Sequence, residues 1–248
     1  MEKIPKVIHY CWFGNNPIPI EYKKYIASWK RYCPDYEIKK WDETNFDIHC
    51  CEYVYEAYQA KKWAFVSDYA RFKILYEHGG IYFDTDVELI KSIDEILENG
   101  PFMGIEVMKG KNVIATGLGL ASNPRHEIYK EILEKYNNLH FLNKDGSLNQ
   151  TTVVEYVTEI LIIHGWENKN YLQNIKGINI YPSDYFGPMN CLTGEINITN
   201  NTVSIHHYSG SWLDNKHKVK NIVKKIVGPK LTNLVIKIKN KLKESEND

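Results

Sequence analysis

The sequence predicts an α/β fold, with one domain over residues 1–215 and a basic helical tail over 216–248. Three observations lead there. A strand, a helix and a second strand open the chain, which is how α/β sheets that bind nucleotides begin. A long helical stretch then passes through two glycines straight into an acidic strand. Finally, residues 216–243 hold ten Lys and no carboxylate, followed only by Glu244, Glu246 and Asp248. The tail therefore carries about +7 and the rest of the chain about −7, which the formal net charge of zero conceals.

Taken in order, KVIHYCWF (6–13) reads as a short buried strand, stopped by GNNP. Residues 20–33 read as a helix, because Tyr22, Ile26, Trp29 and Cys33 recur at helical spacing. YEIKKW (36–41) is the second strand. A helix from about Val54, continuous or restarted, reaches about His78, where Gly79 and Gly80 cap it. Read as one extended segment, Ile81 to Val87 puts Tyr82, Asp84 and Asp86 on one face and Ile81, Phe83 and Val87 on the other. Further helices are predicted at 91–98, 124–136 and 151–163, and strands within 102–121, near 178–181 and at 202–207.

Composition excludes several classes. A chain that is 25% charged and 43% hydrophobic is an ordinary globular one, and the basic character is too local for a nucleic-acid-binding body. Five cysteines, odd in number and without metal-ligand spacing, fit a reducing cytosol better than a disulfide framework. The N-terminal apolar run lacks a small-residue cleavage site, and no stretch approaches the roughly 20 apolar residues of a membrane span. A cytoplasmic protein, peripheral on the inner face of the membrane if its tail binds there, is the expectation.

The chemistry concentrates around GGIYFDTDV (79–87). Two carboxylates converging at a strand end either face water, share a proton or coordinate a cation. Just upstream, Asp68 and Arg71 lie three apart and share a helical face, at the edge of the stripe that Phe72 and Leu75 bury. Such a pair is often a surface salt bridge, but the glycine cap delivers the chain from this helix directly to Asp84 and Asp86. Downstream, IHHYSGSW (205–212) offers His206, His207 and an aromatic lid, Trp212, on a small-residue loop.

IPKVIHYCWFG, WAFVSDYARFKILYEHGGIYFDTDVEL and HHYSGSW, in that order, resemble glycosyltransferase family 32, the DxD-motif sugar transferases that include yeast α-mannosyltransferases and bacterial capsule enzymes. The central block also resembles the glucosylating clostridial toxins. The resemblance spans roughly residues 4–213. It implies a GT-A-type nucleotide-diphospho-sugar transferase fold, a mixed central sheet flanked by helices. It also implies a retaining transfer from a UDP- or GDP-sugar to a saccharide acceptor, in capsule or O-antigen synthesis, with Mn2+ or Mg2+. By the same resemblance Trp12 stacks on the nucleobase, and Asp68 and Arg71 grip the donor sugar and its phosphate side. Tyr82, Asp84 and Ser211 line the donor site, Asp86 holds the metal, His207 or its neighbour His206 is a further ligand or pyrophosphate contact, and Trp212 is the lid over the leaving phosphate. Asp68, Arg71, Asp84 and Asp86 are thus the candidate catalytic set. The chain departs from the family at NQTTVVEYV (149–157), where many members carry Gly-Pro, on the acceptor side.

Two other readings fit parts of the pattern. A hydrophobic strand ending in DTDV also suits a haloacid-dehalogenase-like phosphatase, but no GDxxxD follows residue 87. A non-catalytic sugar-nucleotide-binding module would keep the same residues without turnover. In the tail, Val219, Ile222, Val223 and Ile226 form one apolar stripe, and Leu231, Leu234, Val235, Ile238 and Leu242 another. A basic amphipathic helix of this kind suits an anionic membrane surface and a lipid-linked acceptor, or else packs on the domain with its lysines in water.

Overall fold

A computed structural model of the chain describes residues 3–108, 110–191 and 193–209. The tail and the loop with Ser211 and Trp212 lie outside these described residues. The elements run β1 (Val7–Cys11), α1 (Ile20–Tyr32), β2 (Glu37–Trp41), α2 (Glu52–Gln59), α3 (Trp63–His78), β3 (Gly80–Tyr82), β4 (Val87–Leu89) and α4 (Asp94–Glu98). They continue with β5 (Phe102–Met108), β6 (Lys111–Ile114), β7 (Leu120–Ser122), α5 (Glu127–Asn137) and α6 (Val153–Ile163). Last come β8 (Gln173–Ile175), β9 (Ile178–Tyr181), α7 (Ser183–Phe186) and β10 (Ser204–His206).

The main sheet has the order β2-β1-β3-β7-β5-β9-β8, with β6 hairpinned onto β5. β1 pairs in parallel with both β2 and β3, whereas β7 runs antiparallel between β3 and β5. The sheet is therefore mixed, and helices cover both of its faces. Side-chain alternation along the strands divides the core in two. Tyr82, Met103 and Leu120 point towards α2, α3, α5 and α6, while their neighbours Ile81, Phe102 and Ala121 point towards α1, α4 and α7. The central strands β1, β3 and β7 are short and largely buried on both sides, which is why their sequences read as apolar runs rather than alternations.

His9 ties the first strand to the helix before the acidic segment. It accepts from Trp41 Nε1 at 3.0 Å and donates from Nε2 to the Gly79 carbonyl at 3.1 Å. Burial holds its pKa down to about 4, so the ring is neutral and both bonds persist at neutral pH. Gly79 caps α3 at φ 64°, a left-handed conformation that glycine adopts without strain, and its N–H returns to the Leu75 carbonyl.

The acidic segment differs from expectation in one respect. The strand ends at Tyr82, and residues 85 and 86 form a turn closed by Val87 N–H donating to the Asp84 carbonyl at 3.0 Å. Aspartate favours such turns, and Val87 opens a separate ladder instead of extending the first. That ladder is a two-stranded antiparallel sheet of β4 with β10, which seats His206 opposite Val87. α1 secures it, since the buried Trp29 donates to the Val87 carbonyl at 2.8 Å and Ser28 Oγ accepts from Leu89 N–H. The predicted helix between Val54 and His78 restarts at Trp63, after Lys61 adopts a left-handed φ of 57°. The sequence pattern left β8 and α7 unread, because segments of three and four residues are too short to show a period. No helix among the described residues is long and apolar enough to cross a membrane.

Candidate active site

A cleft of about 890 Å3 opens over the sheet, lined by residues from β1, α3, the acidic turn, the segment before β7 and the C-terminal strand. Its charged floor is a buried chain of ionic groups. Arg71 is 3% exposed and spends its guanidinium on four partners. Nη2 donates to Asp68 Oδ1 at 2.8 Å and lies 3.1 Å from Asp84 Oδ1, while Nη1 donates to Thr116 Oγ1 and Nε to the Ser67 carbonyl. The cation also sits 4.9 Å from the Tyr82 ring centroid, and the Tyr82 hydroxyl donates to Asp84 Oδ1 at 3.0 Å. The Asp68–Arg71 pair is thus no surface salt bridge, because helix α3 turns it inward onto the sheet.

Electrostatics at this floor follow from burial. Desolvation works against the Arg71 charge, but Asp84, Tyr82 and Asp68 outweigh it and keep the guanidinium charged. Asp68 is pushed up to about 7 by its own burial, with Arg71 opposing and Asp84 reinforcing the rise. One guanidinium does not fully compensate two partly buried carboxylates, so this corner of the cleft holds surplus negative charge.

The second aspartate meets the C-terminal strand. His206 donates from Nε2 to Asp86 Oδ1 at 3.1 Å, and Ser209 N–H donates to Oδ2 at 2.8 Å. Burial alone would raise the Asp86 pKa, yet the His206 charge and these hydrogen bonds hold it well below the usual carboxylate range. Conversely, burial disfavours the imidazolium while Asp86 raises it, leaving His206 at about 9. Asp84, Asp86 and His206 each present a ligand atom within 4.8 Å of the others. Histidine 207, expected to be the ligand, is placed otherwise. Its Nε2 lies 2.9 Å from Glu88 Oε2 and its ring stacks on Tyr25 at 4.3 Å. His207 is the first residue past β10, and its backbone N–H donates to the Asp86 carbonyl at 2.9 Å while its side chain turns to Glu88 and Tyr25.

Trp12 lies at the end of β1, half-buried against Tyr22 in an edge contact of 5.7 Å, and both rings line the cleft. The geometry therefore gathers Trp12, Asp68, Arg71, Tyr82, Asp84, Asp86, His206 and His207 around one cleft, with His206 and not His207 at the two aspartates. Thr152 to Val154, within the stretch that departs from the family pattern, also line it.

Residues 19–103 match the family described as a glycosyltransferase sugar-binding region containing the DXD motif. Over that stretch the chain is similar to the DXD-motif glycosyltransferases. It is 27% identical to an uncharacterized glycosyltransferase of Acanthamoeba polyphaga mimivirus over 76% of this chain and 77% of that one. It is also 31% identical to inositol phosphoceramide mannosyltransferase 1 of Schizosaccharomyces pombe, over 57% of this chain but only 46% of the relative. Among solved structures it is similar to a glycosyltransferase involved in the glycosylation of the major capsid of PBCV-1, with TM-score 0.47 and 14% identity. That match covers 88% of this chain and 98% of the other.

Sequence reasoning missed two parts of this glycosyltransferase's site. Thr116 anchors Arg71, and Gly117 backs Asp84, accepting from Asp84 N–H at 3.3 Å. A Cβ at position 117 would overlap Asp84 Oδ2. Gly117 is absent from the positive-φ glycines, so space and not backbone conformation requires it. Gly117→Ala is accordingly expected to displace the Asp84 carboxylate while leaving the fold intact. Transferase turnover should fall about 10–100-fold, as when a group supporting a ligand is lost, with an unfolding free energy within about 1 kcal/mol of wild type. Steady-state kinetics beside urea titration checks this, and unchanged turnover would contradict it.

Proposed function

We propose that this glycosyltransferase moves a sugar from a nucleotide sugar to a saccharide acceptor, with a divalent cation and with retention of configuration. The observation that carries the reading is the convergence of Asp84, Asp86 and His206 beside the Arg71 floor. The donor set suits a cation. Two carboxylates and an imidazole are ligands for Mn2+ or Mg2+, and Nδ1 of His206 is buried with no hydrogen-bond partner in the protein. Once bound there, the cation would neutralise the diphosphate leaving group as a Lewis acid.

The chain's own residues supply the remainder of the reading. Arg71 fixes Asp84 from behind and adds positive charge beneath the donor. Asp68 shares that guanidinium and, held near neutrality at about 7, can donate or accept towards a sugar hydroxyl. Retention is supported by the family resemblance of the Asp68, Arg71, Asp84 and Asp86 pattern. In a front-face displacement the departing phosphate itself takes the acceptor proton, so no separate base is required.

Trp12 is proposed as the nucleobase platform, at the carboxyl end of a sheet strand where α/β folds bind nucleotides. Trp12→Ala should weaken nucleoside diphosphate binding by about 1–3 kcal/mol, the worth of one base–aromatic stack. Calorimetry reads this directly, and an unchanged dissociation constant would place the indole in a packing role against Tyr22.

A lipid-linked acceptor in cell-surface polysaccharide synthesis, met at an anionic membrane by the basic tail, is proposed as the setting. The similarity to an inositol phosphoceramide mannosyltransferase supports this choice. Each lysine near such a surface contributes up to about 1 kcal/mol, screened within a Debye length. Deleting residues 216–248 should therefore release the protein from anionic vesicles at low salt and spare transfer to a soluble acceptor. If the intact chain ignores such vesicles, the membrane setting falls.

The reading as a whole is tested by a panel of UDP- and GDP-sugars, assayed for consumption with Mn2+ or Mg2+ and again with chelator. At least one donor should be consumed only with the metal. Consumption of none, or consumption indifferent to chelator, would contradict the proposal.

A further inference from the structure

Four carboxylates among the described residues line the cleft: Asp68, Asp84, Asp86 and Glu106. The first two are held by Arg71, and the third by His206 and the Ser209 amide. Glu106 lies apart from this set. Along β5, Met103 and Ile105 enter the core beneath α3, whereas Glu106 and Met108, on the opposite face, line the cleft. Glu106 is 7% exposed, and burial raises its pKa against the pull of the His206 charge and Tyr208. A carboxylate buried this deeply on a strand is costly unless something in the cleft uses it.

Its surroundings point to a polar ligand. The Tyr208 hydroxyl lies against the Glu106 carboxyl without a well-formed hydrogen bond, and Tyr208 itself is held at φ 45°, in the left-handed region. A buried carboxylate and a tyrosine hydroxyl, both lining the cleft with no well-formed bond between them, present hydrogen-bonding groups that a ligand completes. Charge decides which part of a ligand that is. A carboxylate repels phosphate unless a cation lies between them, so a diphosphate belongs at the proposed cation cluster of Asp84, Asp86 and His206. A neutral polyol suits Glu106, because an anionic acceptor takes strong hydrogen bonds from adjacent hydroxyls.

We propose that Glu106, with the Tyr208 hydroxyl beside it, binds the hydroxyls of the transferred sugar and sets which sugar the enzyme accepts. The assignment rests on the nucleotide-sugar reading above and deepens it. Buried groups built to meet a hydroxyl reject a sugar that presents it elsewhere, since they are then left unpaired. Glu106 is thus a specificity-determining residue, separate from the Asp84, Asp86 and His206 cluster.

The test uses the full-length protein with Glu106→Gln, nearly isosteric, and Glu106→Ala, both checked for cooperative unfolding. Calorimetry compares free UDP and GDP with the sugar nucleotide that wild type consumes, and donor hydrolysis without acceptor gives kcat/KM for that donor and its epimers. The expected result is nucleoside diphosphate affinity within about twofold of wild type, while sugar-nucleotide affinity and the epimer ratio of kcat/KM each fall about tenfold or more. The alanine variant should be the worse of the two.

Equal losses for diphosphate and sugar nucleotide would assign Glu106 to the support of His206. An effect confined to the acceptor KM would assign it to the acceptor sugar. Unaltered selectivity in both variants would remove it from sugar recognition. Each of these outcomes overturns the proposal with the donor reading intact. A wild-type protein that neither binds nor consumes any sugar nucleotide overturns the donor reading, and this assignment with it.

Discussion

Asp86→Ala is expected to abolish sugar transfer, by about 10³-fold or more, and to remove the response to added divalent cation. Asp86 presents one oxygen to His206 and the other to the Ser209 amide, and its own carbonyl accepts from His207 N–H. The side chain therefore orders both the cation cluster and the start of the segment that follows β10. The fold should survive, because β4 and β10 remain paired through their backbones and Trp29 still holds the Val87 carbonyl. Turnover over a Mn2+ series, with circular dichroism as the control, reads both effects. A folded variant that keeps wild-type turnover and metal response would remove Asp86 from the site.

Arg71→Ala should be the most damaging change to stability as well as to activity. It leaves the partly buried Asp68 and Asp84 without their shared counter-charge, a situation that costs up to about 3–5 kcal/mol. For a chain of this size that corresponds to a fall in Tm of roughly 10 °C. Arg71→Lys should rescue little, because one ammonium cannot reach Asp68, Asp84, Thr116 and the Ser67 carbonyl together. Adding Asp68→Asn to Arg71→Ala should recover part of the stability but none of the turnover, since it removes one uncompensated charge. Thermal unfolding of the single and double variants checks this ordering. An Arg71→Ala protein as stable as wild type would mean that water already screens the pair.

Much of this site is legible in one dimension because the chain builds it locally. Asp68, Arg71, Tyr82, Asp84 and Asp86 fall within 19 residues of sequence, on a helix, a glycine cap and a turn. Helical spacing places the first two together, and the cap leaves the others little choice of position. The turn at residues 85 and 86 was harder to read, because DTDV following IYF fits a continuing strand just as well.

What sequence reading could not reach is long-range. Whether His206 or His207 meets Asp86 depends on the register of β10 against β4, 120 residues apart in the case of Asp86 and His206. Gly117 matters only through the carboxylate packed on it, and a glycine in ATGLGL gives no hint of that neighbour. Glu106 did leave a trace, as a lone carboxylate in the otherwise apolar strand FMGIEVM. A buried strand with one charge is a conflict between pattern and chemistry, and such conflicts are where functional residues concentrate.

The account depends most on a cation held by Asp84, Asp86 and His206 as the seat of the donor diphosphate. Calorimetric titration of UDP and GDP into the wild-type chain, once with Mn2+ and once with EDTA, addresses that claim directly. One of the two nucleotides should bind with Mn2+, and its binding should be lost or weakened at least about tenfold in EDTA. Equal affinity with and without the metal, or no binding of either nucleotide in Mn2+, would contradict the account.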